Sequence, residues 1–221
     1  MQNWKEKCSA MVDEQLTQRD ITDERVLAAM RKVPRHRFVP LALQDEAYED
    51  RPLPLSDDQT ISQPYIIGKM IALAEIDDAD KVLEVGTGSG YQTAVLASIA
   101  KDVYSIEIRR DLLDRAAPVL DDLKLAVHLR LSDGYLGWPE AAPFDAIIVS
   151  AAAPSIPEPL IAQLAEGGRL IIPVDGREHS QALVIVTRDH GRIYKRTDMG
   201  VRFVPMVGRV RTSAHAKAEN N

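Results

Sequence analysis

The sequence predicts an α/β fold built on a doubly wound, mainly parallel sheet. Apolar, strand-like segments alternate with helical segments between about residues 80 and 175, which is the pattern of such sheets. The run from Phe144 to Ser150 is almost entirely apolar, as expected of a central strand covered on both faces. The first strand leads directly into a glycine-rich turn and a helix. Ligands of these sheets bind at the carboxyl ends of the strands.

This turn lies in the segment Lys81 to Tyr91, the most informative part of the chain. Val82 to Val85 predict a buried strand, and the glycines after it let the backbone turn sharply and approach a ligand closely. The apolar run from Ala94 to Ala100 predicts the start of a helix whose first amides point into the same space. We therefore predict a nucleotide-type cofactor site. Its candidate contacts in the turn are Gly86, Thr87, Gly88 and Gly90.

The spacing of the glycines favours S-adenosylmethionine over a dinucleotide. The dinucleotide fingerprint Gly-x-Gly-x-x-Gly requires a glycine at position 91, where this chain has Tyr91. Glu84 precedes the first glycine by two residues, and its carboxylate is expected to repel a pyrophosphate and to attract an ammonium or sulfonium group. A dinucleotide, and a tight turn without any ligand, remain the alternative interpretations.

Two further acidic residues follow the next two predicted strands. The strand Val103 to Glu107 ends in a carboxylate about twenty residues beyond the glycines, where ribose hydroxyls are commonly bound. The strand Val127 to Leu131 leads to Asp133 and Gly134, where the aspartate would accept a hydrogen bond from an adenine amino group. A solvated charge at Glu107 and a simple Asp-Gly turn are the alternatives.

The second half of the predicted core ends in antiparallel strands. A helix from Pro159 to Ala165, stopped by Gly167 and Gly168, precedes a strand from Arg169 to Val174. Residues Asp189 to Gly191 indicate the turn of an antiparallel hairpin. The strands predicted beyond the parallel core are Ala182 to Thr187, Arg192 to Arg196 and Val201 to Val207.

The N-terminal quarter predicts a helix and a polar loop ahead of the cofactor strand. The helix begins near Thr22, with Thr22 or Asp23 as its cap. The segment Asp57 to Tyr65 is polar, lies between apolar anchors and is typical of the rim of an active site. Judged by its neighbours alone, Ser62 caps the helix that begins near Pro64.

Composition and charge exclude several classes of protein. The 221 residues have a hydrophobic fraction of 45% and a charged fraction of 27%, as in one globular domain. No apolar run reaches the ~18 residues of a membrane span, and the N-terminus is too charged for a signal peptide. One cysteine and five histidines predict no metal site, and the net charge of −6 argues against nonspecific nucleic-acid binding. We expect a cytoplasmic monomer.

We predict one domain over residues 1–208 and a flexible tail over 209–221. Within the domain, residues 1–78 form a substrate rim and lead-in helix, 79–175 the cofactor-binding core and 176–208 the C-terminal strands.

Several longer segments together resemble the protein-L-isoaspartate O-methyltransferase family. The resemblance covers roughly residues 10 to 208. The glycine turn is generic to methyltransferases, whereas the segments Gln59 to Pro64 and Arg202 to Pro205 are specific to this family. The other matching segments are Val26 to Met30, Val33 to Pro40, Val82 to Gln92 and Pro143 to Val149.

The resemblance implies a Rossmann-like, S-adenosylmethionine-dependent methyltransferase fold. It implies methyl transfer to the free carboxylate of L-isoaspartyl residues in damaged proteins and peptides, with S-adenosyl-L-homocysteine as the product and no metal. The methyl ester would close to a succinimide, which begins repair. Ser62 corresponds to the active-site serine of the family. The implied substrate contacts are Gln59, Thr60, Ile61, Ser62 and Val204.

Three alternatives stay open at this point. A methyltransferase that acts on another peptide carboxylate would share every cofactor residue and differ only in the rim. An NAD-dependent oxidoreductase is disfavoured by the glycine spacing. A noncatalytic binding module would keep the cofactor pocket, but the Ser62 segment argues against it.

Overall fold

The computed structural model describes residues 3–56, 58–176 and 180–209. The helices are α1 (Trp4–Ala10), α2 (Glu24–Lys32), α3 (Pro64–Ala74), α4 (Tyr91–Leu96), α5 (Arg110–Asp122) and α6 (Glu158–Ala162). The strands are β1 (Leu53–Ser56), β2 (Gln59–Ile61), β3 (Lys81–Val85), β4 (Asp102–Glu107), β5 (His128–Leu131), β6 (Phe144–Val149), β7 (Leu164–Asp175), β8 (Gln181–Asp189) and β9 (Arg192–Val201). A π-helical segment, Met11–Thr17, extends α1, and 3₁₀ turns cover Arg35–Phe38 and Leu41–Glu46.

Within the described ranges, seven strands form the central sheet in the order β5-β4-β3-β6-β7-β8-β9. Strands β3 to β7 are parallel, whereas β8 and β9 are antiparallel to their neighbours. The strand order reverses between β3 and β6, which is the switch point at which such sheets open a crevice. The predicted doubly wound core with antiparallel C-terminal strands is confirmed.

Side chains of the two central strands alternate between two hydrophobic clusters, one on each face of the sheet. Val82 of β3 and Ile148 of β6 belong to one cluster, and their neighbours Leu83 and Ile147 belong to the other. All four are buried. Successive residues of a strand point to opposite faces, so a continuous apolar run requires cover on both sides. The N-terminal helices supply much of the first cluster.

The hairpin β8–β9 turns at His190 and Gly191, as the sequence predicts. Both residues have positive φ, 48° and 71°, which is the conformation of a two-residue type I′ turn. The further strand predicted over Val201 to Val207 is wrong, because β9 already ends at Val201. Between residues 202 and 209, the described chain makes one bridge, between Pro205 and Ala152, and proline has no amide with which to extend a ladder.

The predicted helix boundary near Gly167 is also wrong. Helix α6 ends at Ala162 and β7 begins at Leu164, so the two glycines lie within the strand. Phe144 of β6 pairs with Leu164 of β7, and Ala146 pairs with Arg169. Two residues along β6 therefore correspond to five along β7, which places a bulge at Gly167, where φ is 78°. The glycines accommodate this irregularity in the strand.

The N-terminal elements refine the predictions around the rim. Asp23 caps α2 and accepts a hydrogen bond from the Arg25 amide at 2.9 Å. The polar loop is in part a small hairpin, in which β1 pairs with β2. Helix α3 begins at Pro64 with Gln63 as its N-cap, so Ser62 is not the cap. Helix α4 begins at Tyr91, earlier than its apolar run suggested.

The proposed division of the chain remains a prediction. Residues 210–221 of the expected flexible tail lie outside the described residues. None of the helices in the described ranges combines the length and apolar character needed to cross a bilayer.

Gly90→Ala should destabilise the protein more than Gly191→Ala. Both glycines have positive φ, 85° and 71°, so alanine is strained at either position by roughly 1–2 kcal/mol. In the part of the chain that the structure describes, a Cβ added at Gly90 would also meet the Cβ of Ala116 at 3.0 Å, whereas one added at Gly191 would meet nothing within 4 Å. We expect an additional loss of about 1 kcal/mol at Gly90 in urea unfolding without cofactor. Equal losses would contradict crowding of α4 against α5.

Candidate active site

A cavity opens at the carboxyl ends of β3, β4 and β6, at the switch point of the sheet. It has a volume of about 880 Å³ including its open mouth. Most of the sequence-predicted site residues line it. They are Gln59, Thr60, Ile61, Ser62, Gly86, Thr87, Gly88, Glu107, Gly134 and Val204.

Bare backbone forms the floor of the cavity at the glycine turn. The amides of Gly86 and Thr87 both donate to the carbonyl of Ile106, at 2.8 and 3.2 Å, which holds the turn against the end of β4. Gly86 and Gly88 have φ of 97° and 54°. Among the described residues, no atom lies closer than 4.0 Å to a Cβ added at Gly88, so a side chain there would occupy ligand space. Glycine keeps that space open.

Glu107 stands at the wall of the cavity and is held by backbone amides. Its Oε2 accepts from the Gly88 amide at 2.8 Å, and its Oε1 accepts from the amides of Ile108 and Arg109 at 2.9 Å each. A carboxylate offers about four acceptor positions, so about one remains, on Oε2. The side chain of Arg109 contacts Asp58 and Asp111 instead of Glu107.

Glu84 lies beneath the glycine turn and does not line the cavity. It is 0% exposed and accepts hydrogen bonds from Ser105 Oγ at 2.6 Å, Gln92 Nε2 at 3.0 Å and Thr93 Oγ1. Burial raises the pKa of this carboxyl to about 7, against the lowering effect of these hydrogen bonds. The expected direct attraction of a cationic ligand to Glu84 does not match this buried placement.

Thr87 reaches the same buried cluster. Its hydroxyl lies 2.6 Å from Ser105 Oγ, so its side chain faces the protein interior. Thr87 therefore lines the cavity with its backbone and not with its hydroxyl.

The structure also places Gly90 and Asp133 away from the cavity surface. Gly90 is the N-cap of α4 and packs against Ala116 of α5. The Asp133 carboxylate accepts from the amides of Tyr135 at 3.0 Å and Arg209 at 2.8 Å. Its oxygens hold two backbone segments, and the neighbouring Gly134 is the residue that lines the cavity.

A wider groove adjoins the cavity on the side of the rim. The two spaces share four residues, Thr60, Ser62, Ser150 and Val204. Ser62 thus lies at their junction, and within the described ranges its hydroxyl has no hydrogen-bond partner. The groove continues between Tyr65 and Phe203.

Sequence reasoning missed several cavity residues. Ser150 accepts a hydrogen bond from Gln92 Nε2 at 2.9 Å and lines the cavity; its place at the end of a predicted central strand was the available signal. Ile108 and Arg109 follow Glu107 directly, so the same strand end points to them. Met206 and Val207 also line the cavity. They belong to the C-terminal segment that follows β9, and the sequence does not indicate where that segment runs.

Among the described residues no group of three or more His, Cys, Asp or Glu side chains is arranged to hold a metal ion.

Comparison with known proteins identifies the family of the chain. The sequence profile of the protein-L-isoaspartate(D-aspartate) O-methyltransferase family matches residues 6–211. The chain belongs to this family. It is 56% identical over 196 residues to a protein-L-isoaspartate O-methyltransferase of Opitutus terrae, covering 88% of this chain and 84% of that one. A relative from Gloeobacter violaceus is 53% identical over 197 residues, covering 89% of this chain and 96% of the relative.

Solved structures support the same family. A protein-L-isoaspartate O-methyltransferase structure superposes with a TM-score of 0.85 at 26% identity, covering 97% of this chain and 69% of that one. A Plasmodium falciparum structure assigned to this activity, in complex with S-adenosyl-L-homocysteine, has a TM-score of 0.79 at 26% identity and covers 90% of this chain and 98% of that one. The Rossmann-like methyltransferase fold is therefore confirmed.

Glu84→Gln should become more stable relative to the wild type as the pH rises from 5 to 8. The pKa of about 7 in the folded state exceeds the ordinary glutamate value of 4.5. The folded state therefore keeps a proton that the unfolded state loses, and the free energy of unfolding falls as the pH rises between these values. At ~1.36 kcal/mol per pKa unit this corresponds to about 3 kcal/mol. The glutamine variant lacks this dependence.

The measurement is urea unfolding of both proteins across this pH range. Glu140→Gln is the control, because a backbone hydrogen bond and Arg130 lower the pKa of that exposed carboxyl. A difference between Glu84→Gln and wild type that stays constant with pH would show that Glu84 ionises as easily when folded as when unfolded.

Proposed function

We propose that the protein transfers the methyl group of S-adenosylmethionine to the free carboxylate of L-isoaspartyl residues in damaged proteins and peptides. The observation that carries the proposal is the position of Ser62, which lines both the cavity at the glycine turn and the adjoining groove. A donor in the first space and a peptide in the second would meet beside this hydroxyl.

The cofactor fits the cavity by the chemistry of its wall. Glu107 retains an acceptor position for a ribose hydroxyl beside the three amides that it already binds. The side-chain-free turn at Gly86 and Gly88 allows close approach of the ligand to the backbone. When bound, S-adenosylmethionine supplies a methyl group activated by a sulfonium. In this assignment Glu84 and Gly90 support the glycine turn from the protein interior, and Gly134 forms part of the cavity wall.

The acceptor requires orientation more than activation. An isoaspartyl carboxylate is ionised at neutral pH, since carboxyl pKa values lie near 4, and it therefore needs no general base. The absence of a histidine from the cavity lining of the described residues agrees with this requirement. The protein then acts by alignment of the reacting groups, which can contribute several kcal/mol to catalysis (roughly 7–11 in favourable cases).

Ser62 is the group proposed to orient the acceptor. Its hydroxyl can donate one hydrogen bond to a carboxylate oxygen, and the backbone beside it, from Gln59 to Ile61, lines the same space. A single neutral donor holds the carboxylate without strongly stabilising its charge, which would weaken it as a nucleophile. Val204 also lines both spaces and would contact the substrate there.

The methyl ester product accounts for a role in repair. The methoxy group of an ester leaves far more easily than the oxygen of a carboxylate. The nitrogen of the neighbouring backbone amide therefore attacks the ester carbonyl and closes a succinimide, and the amide proton leaves with the methoxy group as methanol. Hydrolysis of that ring returns part of the material to the normal aspartyl linkage. The predictions that the protein is a cytoplasmic monomer without nucleic-acid partners stay predictions.

A matched pair of peptides tests the activity. The two peptides differ only in an L-isoaspartyl or L-aspartyl linkage, and each is incubated with the protein and methyl-labelled S-adenosylmethionine. We expect base-labile label on the isoaspartyl peptide alone. Cofactor binding without label on either peptide would leave the fold assignment intact and refute the acceptor.

Ser62→Ala should lower kcat for the isoaspartyl peptide by roughly 10–100-fold, equivalent to about 1.5–3 kcal/mol for an orienting hydrogen bond. The dissociation constant of S-adenosylmethionine should change little. Glu107→Ala should show the reverse pattern, with weakened cofactor binding. Steady-state kinetics and calorimetric titration distinguish the two variants. Ser98→Ala is the control, because the Ser98 hydroxyl donates to the Ala94 carbonyl at the C-terminal turn of helix α4. Unchanged turnover in Ser62→Ala would remove Ser62 from the mechanism.

A further inference from the structure

Arg35 is a buried cation whose contacts lead directly to Ser62. Its side chain lies in the 3₁₀ turn after α2 and is 0% exposed. Its Nε donates to the Ala47 carbonyl at 2.8 Å, and its Nη2 donates to the Ser62 carbonyl at 2.7 Å. The guanidinium carbon lies 4.8 Å from the ring centre of Tyr91, the first residue of α4. Three separate segments of the chain thus meet at this one side chain.

Burying the charge of Arg35 costs free energy, which indicates that the residue has a specific role. Arg35 forms no ion pair with an acidic residue in the described ranges, and its Nη1 and the hydroxyl of Tyr91 are buried there without a hydrogen-bond partner. Burial lowers the pKa of Arg35 to about 10, so the guanidinium remains charged at neutral pH. A buried ion costs several kcal/mol, and an apolar side chain of similar volume is often at least as stable.

The two carbonyls that Arg35 holds belong to separate segments of the N-terminal quarter. Ala47 follows the 3₁₀ turn Leu41–Glu46, and Ser62 joins β2 to α3. A hydrogen bond to the Ser62 carbonyl restrains rotation of that peptide group, and with it the direction in which the Ser62 side chain leaves the backbone. Helix α3 gives Ser62 no capping contact that would do this instead, since its N-cap is Gln63.

We propose that Arg35 is a positioning residue that directs the Ser62 hydroxyl toward the acceptor carboxylate. This inference rests on the proposed function of Ser62. The contact with Tyr91 joins the same guanidinium to the helix that follows the glycine turn, so the orientation of Ser62 is set relative to the cofactor cavity. Lysine cannot reproduce the role, because a single ammonium lacks the planar fork that reaches two carbonyls at once.

A double-mutant cycle of Arg35→Lys and Ser62→Ala tests the proposal on the isoaspartyl peptide. We expect Arg35→Lys to lower kcat by about 10-fold, with the peptide KM and the cofactor dissociation constant changed by less than about 3-fold. Because Arg35 acts through the Ser62 hydroxyl, the double variant should lose no more kcat than Ser62→Ala alone. A role confined to fold stability would add its loss in both backgrounds.

Arg37→Met is the matched control, because this neighbour in the same turn pairs with Asp122 at the protein surface at 2.7 Å and should keep the wild-type kcat. Three outcomes would each overturn the proposal. They are kcat losses that multiply in the double variant, a wild-type kcat in Arg35→Lys, and an Arg35→Lys protein that fails to fold. Wild-type protein that labels no isoaspartyl peptide would refute the proposed function itself and this inference with it. The two failures are therefore distinguishable.

Discussion

The cavity depends on the path of the backbone between Gly86 and Gly90, and two carboxylates hold that path. Glu107 binds the Gly88 amide from the end of β4. Glu84 binds Gln92 and Thr93 from below and so fixes the first turn of α4. The glycines adopt conformations that other residues rarely tolerate. Because the glycines carry no side chains, they leave space for a ligand, and the two carboxylates hold the turn so that its backbone does not fill that space.

Tyr91 connects this turn to the substrate side of the molecule. It is fully buried, its ring packs on Phe38 with centres 5.7 Å apart, and the Arg35 guanidinium lies against it. A side chain of this size at the start of α4 would obstruct the close packing of a dinucleotide site. Here the segment after α2 accommodates it. The residue that breaks the dinucleotide fingerprint thus anchors the rim to the cofactor core.

The chemistry assigned to the site follows from this division between two spaces. The acceptor already carries its nucleophilic charge, so the protein gains most by fixing the two reactants and excluding alternatives. A neutral hydroxyl at the junction, with bare backbone on one side and a groove on the other, is suited to that task. The charged groups near the turn are occupied by internal partners: Glu84 is buried and Asp133 binds backbone amides.

Local sequence determined the parallel core, the glycine turn, the Glu107 wall and the hairpin at His190, because each depends on short-range periodicity or on a turn that only certain residues permit. It failed where contacts distant in the chain decide the outcome. The bulge at Gly167 arises from pairing with β6, and the bridge between Pro205 and Ala152 joins residues more than fifty positions apart. The hydrogen bonds of the buried Glu84 and the hydrogen bond from Arg35 to Ser62 join residues 8 to 27 positions apart. Only the tertiary structure decided them, since hydrogen bonding of buried groups depends on what the folded chain brings beside them.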